Sequence, residues 1–208
     1  MTDIEDIYFL VGFEESQEIT IRLRAKGIKA FSCDIQDCSG GHPEWHLKMD
    51  IKEALLLRAW SGIILHSPCT FTALCGNRWY YNSPLRPEGV ELCKSSWDMA
   101  CELYDNVALE QPKTIMQRYI GKRSQTIHPW QFGHKEMKET WLWLKGFPNL
   151  NHTDVVGPPP GDKVERRKWE KIWLMSGKDR SKKRSKTYPG IAEAIADQWG
   201  SLLKHSNN

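Results

Sequence analysis

The chain has 208 residues, of which 40% are hydrophobic, 26% charged and 11% aromatic. That length fits one domain on a scale of about 100–200 residues per domain, with a core that needs no disulfide staples, and the residue balance excludes a disordered tail, a collagen-like rod and a coiled coil. No apolar run approaches the ~18 residues of a membrane span, and the start MTDIEDIYFL is acidic where a signal peptide is basic. The expectation is a soluble, cytoplasmic protein with no membrane partner, its six cysteines reduced. The net charge of +3 hides an asymmetry. Residues 162–186 carry eleven Lys and Arg, among them Lys163, Arg166, Lys171, Lys182 and Lys186, against Asp162, Glu165, Glu170 and Asp179, so this stretch is +7 and the remainder −4. Such a stretch suggests a phosphate-bearing partner; a solvated helix face is the alternative reading.

In chain order, the apolar run IYFLVGF (7–13) reads as a strand, residues 14–26 as a helix closed by Gly27, and KAFSCDI (29–35) as a second strand ending near Asp34. These make a right-handed βαβ unit with parallel strands. A Gly-rich loop (39–43) and a short helix (51–60) lead to the buried strand SGIILHS (61–67), which stops at Pro68. An irregular stretch (69–86) precedes a helix from Pro87 to about Asp105, and the strand NVALEQ (106–111) stops at Pro112. QTIHPW (125–130), ETWLWLKG (139–146), a loop holding GPPPG (157–161), the basic stretch and a closing helix near 189–203 complete the chain. Strands alternating with helices predict an α/β fold, a mostly parallel sheet flanked by helices, in which ligands bind outside the carboxyl ends of the strands. That rule points to four loops: 12–16, 34–37, 66–79 and 110–114.

Two strand-end peptides carry the candidate chemistry. His66-Ser67-Pro68-Cys69-Thr70 puts a thiol in a sharp turn, and Leu109-Glu110-Gln111-Pro112 puts a carboxylate at the end of another strand. Taken singly, Cys69 reads more readily as a buried small hydrophobe, as most free cysteines are, and Glu110 as a cap or ion-pair partner. Taken together, a thiolate to attack C6 and an acid to engage N3 are what addition to a pyrimidine ring requires. Cys33, Cys38, His42 and His46 are all acceptable zinc ligands, but their spacing is shorter than that of a zinc finger and glycines and a proline interrupt it. His66 and His134 are further candidate bases, or histidines bonded to a nearby loop.

Ser-Pro-Cys and Glu-Gln-Pro, in this order, resemble the Pro-Cys and Glu-Asn motifs of DNA cytosine C5 methyltransferases. A closer resemblance, over most of the chain, is to small phage-encoded proteins of that kind, through SPCT (67–70), GNRW (76–79), EQP (110–112), PWQFG (129–133), LWLKG (142–146) and YPGIAEA (188–194). The resemblance implies a Rossmann-like S-adenosylmethionine-dependent methyltransferase fold in a single domain, 1–208, and methyl transfer from S-adenosylmethionine to C5 of cytosine in DNA. Cys69 is then the nucleophile and Glu110 the N3 partner, with Pro68, Arg78, Trp79, Gln111 and Pro112 around the base. The cofactor would meet Gly12, Phe13, Glu14 and Ser16 in the first loop, Asp34 and Ile35 near its ribose, Asp50 near its adenine, and Ser67. If the chain is phage-encoded, its place is the host cytoplasm.

The sequence departs from the full-length enzymes at three places. Gly12-Phe13-Glu14-Glu15-Ser16 stands where they carry Phe-x-Gly-x-Gly, Ser67 replaces a proline, and Gln111 replaces an asparagine. The length leaves no room for a separate target-recognition domain, so residues 113–186 would bind DNA, with Arg118, Lys122, Arg123, Trp130, Trp169 and Trp173 supplying cations and aromatic faces. Trp141 and Trp143 read as core. Two other readings stay open: a deoxycytidine nucleotide as substrate or another one-carbon donor, and a catalytically inactive protein that binds nucleic acid or a nucleotide.

Overall fold

The structure, a computed structural model, describes residues 6–178 and 180–206. Its elements are β1 (Tyr8–Gly12), α1 (Glu18–Ala25), β2 (Lys29–Asp34), β3 (His46–Lys48), α2 (Ile51–Leu56), β4 (Gly62–Leu65), α3 (Asn77–Tyr80), α4 (Arg86–Leu103), β5 (Val107–Pro112), α5 (Gln117–Ile120), β6 (Gln125–Ile127), β7 (Thr140–Lys145), α6 (Lys163–Arg167), α7 (Lys171–Leu174), α8 (Arg180–Ser185), α9 (Pro189–Ile195) and α10 (Ser201–Ser206). The strands form one sheet in the order β3-β2-β1-β4-β5-β7-β6. From β3 to β5 the neighbours are parallel; β7 runs antiparallel to both β5 and β6. The expected α/β architecture, a mostly parallel sheet flanked by helices, is present. It is compatible with a Rossmann-like fold, because the chain winds outward from β1 through β2 to β3 and then returns to β4 on the other side of β1.

Alternation of side chains along each strand divides the interior in two. Phe9 and Val11 of β1, Ile64 of β4, Ala108 of β5 and Leu142 of β7 pack with α1 and α9. Leu10, Ile63, Leu65, Leu109, Trp141 and Trp143 pack with α2 and α4 on the opposite face. Trp141 and Trp143 are core residues, as read. Trp199 is fully buried in the first core, stacked on Phe147 at 4.7 Å, and its indole N–H donates to the Pro148 carbonyl at 3.0 Å.

Several boundaries differ from the sequence reading. The first helix starts at Glu18 rather than Glu14 because the backbone at Phe13 and Gln17 is left-handed. The helix after Asp50 ends at Leu56, and the three residues of β3 are too few to show a period. The stretch 69–86 holds α3, and only 125–127 of the segment 125–130 is strand, followed by a single 3-10 turn at Pro129–Gln131. The closing helix is interrupted by a π segment at Ala196–Gly200 and runs on to Ser206. β6 and β7 lie within 113–186, so that part of the segment expected to bind DNA belongs to the sheet. Among the described residues, no helix is long and apolar enough to cross a membrane.

Trp199→Ala removes a fully buried indole and should lower the unfolding free energy by about 3–5 kcal/mol. Urea unfolding measures it, with Trp199→Phe, which keeps the stack on Phe147, losing less.

Candidate active site

The ladder between β4 and β5 pairs Ile63 with Val107, Ile64 with Ala108 and Leu65 with Leu109. Carried two residues past the end of β4, this register sets His66 beside Glu110 and Ser67 beside Gln111, each pair on its own face of the sheet. His66 Nδ1 is 3.3 Å from Glu110 Oε2. The Gln111 amide donates to the Ser67 carbonyl at 2.6 Å and to Ser67 Oγ at 3.0 Å, while its own oxygen accepts from Thr72 Oγ1 at 3.3 Å. Two of the three departures from the methyltransferase pattern are therefore bonded to each other: a serine hydroxyl meets the longer glutamine. Further on, Thr114 Oγ1 and the Ile115 N–H both donate to the Thr72 carbonyl, fastening the loop after β4 to the loop after β5.

Within that fastened loop Pro68 is exposed and Cys69 is half-buried, its carbonyl accepting from the N–H groups of Thr72 at 3.2 Å and Ala73 at 2.9 Å. Burial pushes the Cys69 thiol up from its ordinary value; the Glu110 charge adds to this and the Lys138 ammonium opposes it. For Glu110, burial also pushes upward, but the hydrogen bond to His66 and the charges of Lys138 and His66 outweigh it and hold the carboxyl below the ordinary range. Lys138 was not among the residues singled out from sequence. Antiparallel β7 pairs Thr140 with Pro112, which brings the residues just before β7 to the carboxyl end of β5. No local pattern in the sequence reports the direction of that strand.

On the other side of β1, the loop 13–17 is strained. Phe13 (φ 61°) and Gln17 (φ 58°) are the two non-glycine residues with positive φ among the described residues. Such backbone costs on the order of 1–3 kcal/mol per residue and collects at ligand-binding loops. The Gln17 amide anchors it, donating to Ser32 Oγ and the His42 carbonyl and accepting from the His42 N–H. Phe13, Asp34, Ile35, Asp50 and Pro68 line a cavity of about 160 Å³, together with Met49 and Leu92. Gly12, expected to touch the cofactor, is buried and does not line this cavity; a Cβ there would stand 2.4 Å from Ile51 Cδ1. Asp34 Oδ1 accepts from the Gln36 N–H and Asp50 Oδ1 from the Lys52 N–H, which leaves the second oxygen of each aspartate for a ligand.

Besides Gly12, three residues expected to touch the cofactor are placed otherwise. The Glu14 carboxylate turns into the start of α1, accepting from the Ile19 N–H at 2.6 Å, the Thr20 N–H at 3.3 Å and Thr20 Oγ1 at 2.7 Å. Ser16 and Ser67 are buried and do not line the cavity. The four candidate zinc ligands are dispersed. The Cys33 thiol donates to the Met49 carbonyl, His42 stacks on Trp45, His46 bonds Ser32 and the Gln36 carbonyl, and no metal-binding cluster occurs among the described residues. His134 accepts from the Gly190 N–H at 2.9 Å, a structural bond. Arg78 and Trp79 sit in α3, with the guanidinium over the indole at 5.2 Å and Trp79 73% exposed.

The basic stretch forms three short helices against this edge. Lys171 reaches Glu136 at 3.9 Å, Lys182 reaches Glu15 at 3.5 Å, Lys186 reaches Glu18 at 4.0 Å, and Lys138 Nζ donates to the Arg184 carbonyl at 3.1 Å. Of the candidate contacts in 113–186, Arg118 and Lys122 are exposed, Trp130 is stacked on His128 and Trp169 is packed on the loop at Gly157. Arg123 is committed to Thr126, Gln117 and the Trp141 ring. Asp179 and the Trp173 side chain lie outside the described residues.

Because Glu110 is held below the ordinary glutamate value of 4.5, its ionised form contributes stability that is present above that pH and lost as pH falls through the lower folded value. Glu110→Gln should therefore be less stable than wild type at neutral pH, with the gap closing on acidification below pH 4.5. Urea midpoints across that range check it; a gap independent of pH would contradict the ion-paired arrangement. Set against models of known protein families and against curated proteins, the sequence matches none.

Proposed function

We propose that the protein transfers a methyl group from S-adenosylmethionine to C5 of cytosine in DNA, as a small member of the phage-encoded cytosine C5 methyltransferase-like proteins. The observation that carries this reading is the β4–β5 register, which sets His66 beside Glu110 and so brings the Pro68-Cys69 turn that follows to the same carboxyl edge, near enough for the Glu110 charge to act on the thiol. Supporting it are the motifs spread over most of the chain and the cavity beside β1.

Cys69 is the nucleophile and adds through Sγ to C6 of the base. The nearby Lys138 ammonium favours its thiolate, against burial and the Glu110 charge. Glu110 accepts from the exocyclic amine of cytosine and engages N3. Gln111 and Ser67 hold the two loops in register, so that thiolate and carboxylate keep a fixed spacing. S-adenosylmethionine, when bound, supplies an electrophilic methyl group. The donor residues fit it: Asp34 and Asp50 each offer one oxygen to hydroxyl or amine groups, and about 160 Å³ suits one flat ring, engineered cavities of about 150 Å³ being able to take up benzene. A cytosine within a duplex must leave the stack to reach Cys69.

A second reading, the same addition on a deoxycytidine nucleotide, is favoured by the basic helices, whose ion pairs to Glu15, Glu18 and Glu136 narrow the approach to the edge. Transfer of labelled methyl to duplex DNA, single-stranded DNA and dCMP separates the two. Cys69→Ser should abolish product on whichever acceptor is used; undiminished turnover would overturn the assignment of the nucleophile. Salt-dependent DNA binding without product would favour a binding protein.

A further inference from the structure

The side chain of His66 has no role in the reading above, yet it is 9% exposed and lodged at the centre of the site. Its backbone N–H donates to the Gly12 carbonyl at 3.0 Å, and its Nδ1 meets Glu110 Oε2 at 3.3 Å. Its Nε2 is buried without a hydrogen-bond partner. The charged and titratable groups facing the pair come from each neighbouring element: Glu14 from the loop after β1, Cys69 from the loop after β4, Glu110 from β5 and Lys138 from the approach to β7. Of the two carboxylates near the imidazole, Glu14 is committed to three donors at the start of α1. Glu110 is the one left to exchange a proton with His66.

We propose that His66 stores the proton that Glu110 presents to N3 of cytosine, so that the two side chains work as one proton-sharing pair; this rests on the cytosine reading. An ionised Glu110 can accept hydrogen bonds but has no proton to give, and the nucleophilic addition requires one. As Cys69 Sγ bonds to C6, the C5=C6 pair shifts to C4=C5 and the C4=N3 pair shifts to N3. N3 then takes the proton from Glu110, which takes it from the His66 imidazolium. The C4=C5 pair then bonds the incoming group as the N3 pair re-forms C4=N3. The C5 proton leaves to solvent, its C–H pair forms C5=C6, the Sγ–C6 pair returns to sulfur as thiolate, and N3 returns its proton along the same path. The balance is closed, and no external acid is consumed. With no second hydrogen bond on Nε2, movement of the proton between His66 and Glu110 breaks no other contact in the fold. His66 acts through Glu110 and is a positioning residue.

Two measurements test this. The first follows the His66 ring by 15N NMR across pH in wild type and in Glu110→Gln, and needs no reaction. Removing the carboxylate that meets Nδ1 should change the pH-dependent 15N shifts of the His66 ring. A titration unchanged by Glu110→Gln overturns the proposal. The second follows exchange of cytosine H5 for solvent deuterium on dCMP, single-stranded DNA and duplex DNA without any methyl donor, since addition and N3 protonation suffice for it. His66→Gln, which keeps polarity but carries no titratable proton, should slow exchange about 10²-fold, the lower end of general acid–base contributions. It should also abolish the fall in rate on the alkaline side of the wild-type profile. Wild-type rate and profile in His66→Gln overturn the proposal. Exchange without methyl transfer would fail the donor reading alone, and would support the proton pair when His66→Gln slows it. No exchange on any acceptor by wild type would fail the cytosine reading and, with it, the role of the pair at N3, even if the NMR coupling were present.

Discussion

The backbone ladder between β4 and β5 sets Leu65 opposite Leu109, and because successive side chains alternate faces, the residues that follow meet in fixed pairs. One pair, His66 with Glu110, faces α1; the other, Ser67 with Gln111, faces α2 and α4. The hydrogen-bonded serine and glutamine carry no charge and hold the two loops at one spacing. The imidazole and carboxylate bring charge into the same place. A slip of one residue in this ladder would send each member to the wrong face, so the site is as strongly specified as the two buried cores.

Antiparallel β7 adds what parallel strands could not. Its beginning, rather than its end, lies at the carboxyl edge, and with it come Glu136 and Lys138. The basic helices then draw their lysines toward acids at the same edge. In the loop that Lys182 reaches through Glu15, the strain at Phe13 and Gln17 is offset by the Gln17 amide and by Glu14, which together bond Ser32, His42 and the first turn of α1. The loop keeps a left-handed turn without the glycine that such a conformation favours.

Much of this was legible in the sequence because each of the two central strands is a short apolar run stopped by a proline. That punctuation located Cys69 and Glu110 and the parallel core. It did not locate Lys138, whose position depends on the direction of β7, nor β3, which has three residues and no period. The conformation of Phe13 was hidden for another reason: a bulky residue carries no local signal for positive φ, and its backbone is imposed by the contacts of its neighbours. Glu14 looked like a cofactor contact from its place after β1, but the N–H groups at the start of α1 claimed it. Gln111, one methylene longer than asparagine, reaches both the carbonyl and the hydroxyl of Ser67, and a proline there would supply only the carbonyl.

The proximity of Cys69 and Glu110 means that the charge of one bears on the other. A proton leaving the thiol adds a second negative charge beside the carboxylate, which disfavours it, while the Lys138 charge favours it. Ionisation of the thiol is therefore a property of its surroundings as well as of the cysteine. The rate at which an alkylating reagent captures Cys69 would read those surroundings, and a change at Glu110 would show in it without touching the cysteine.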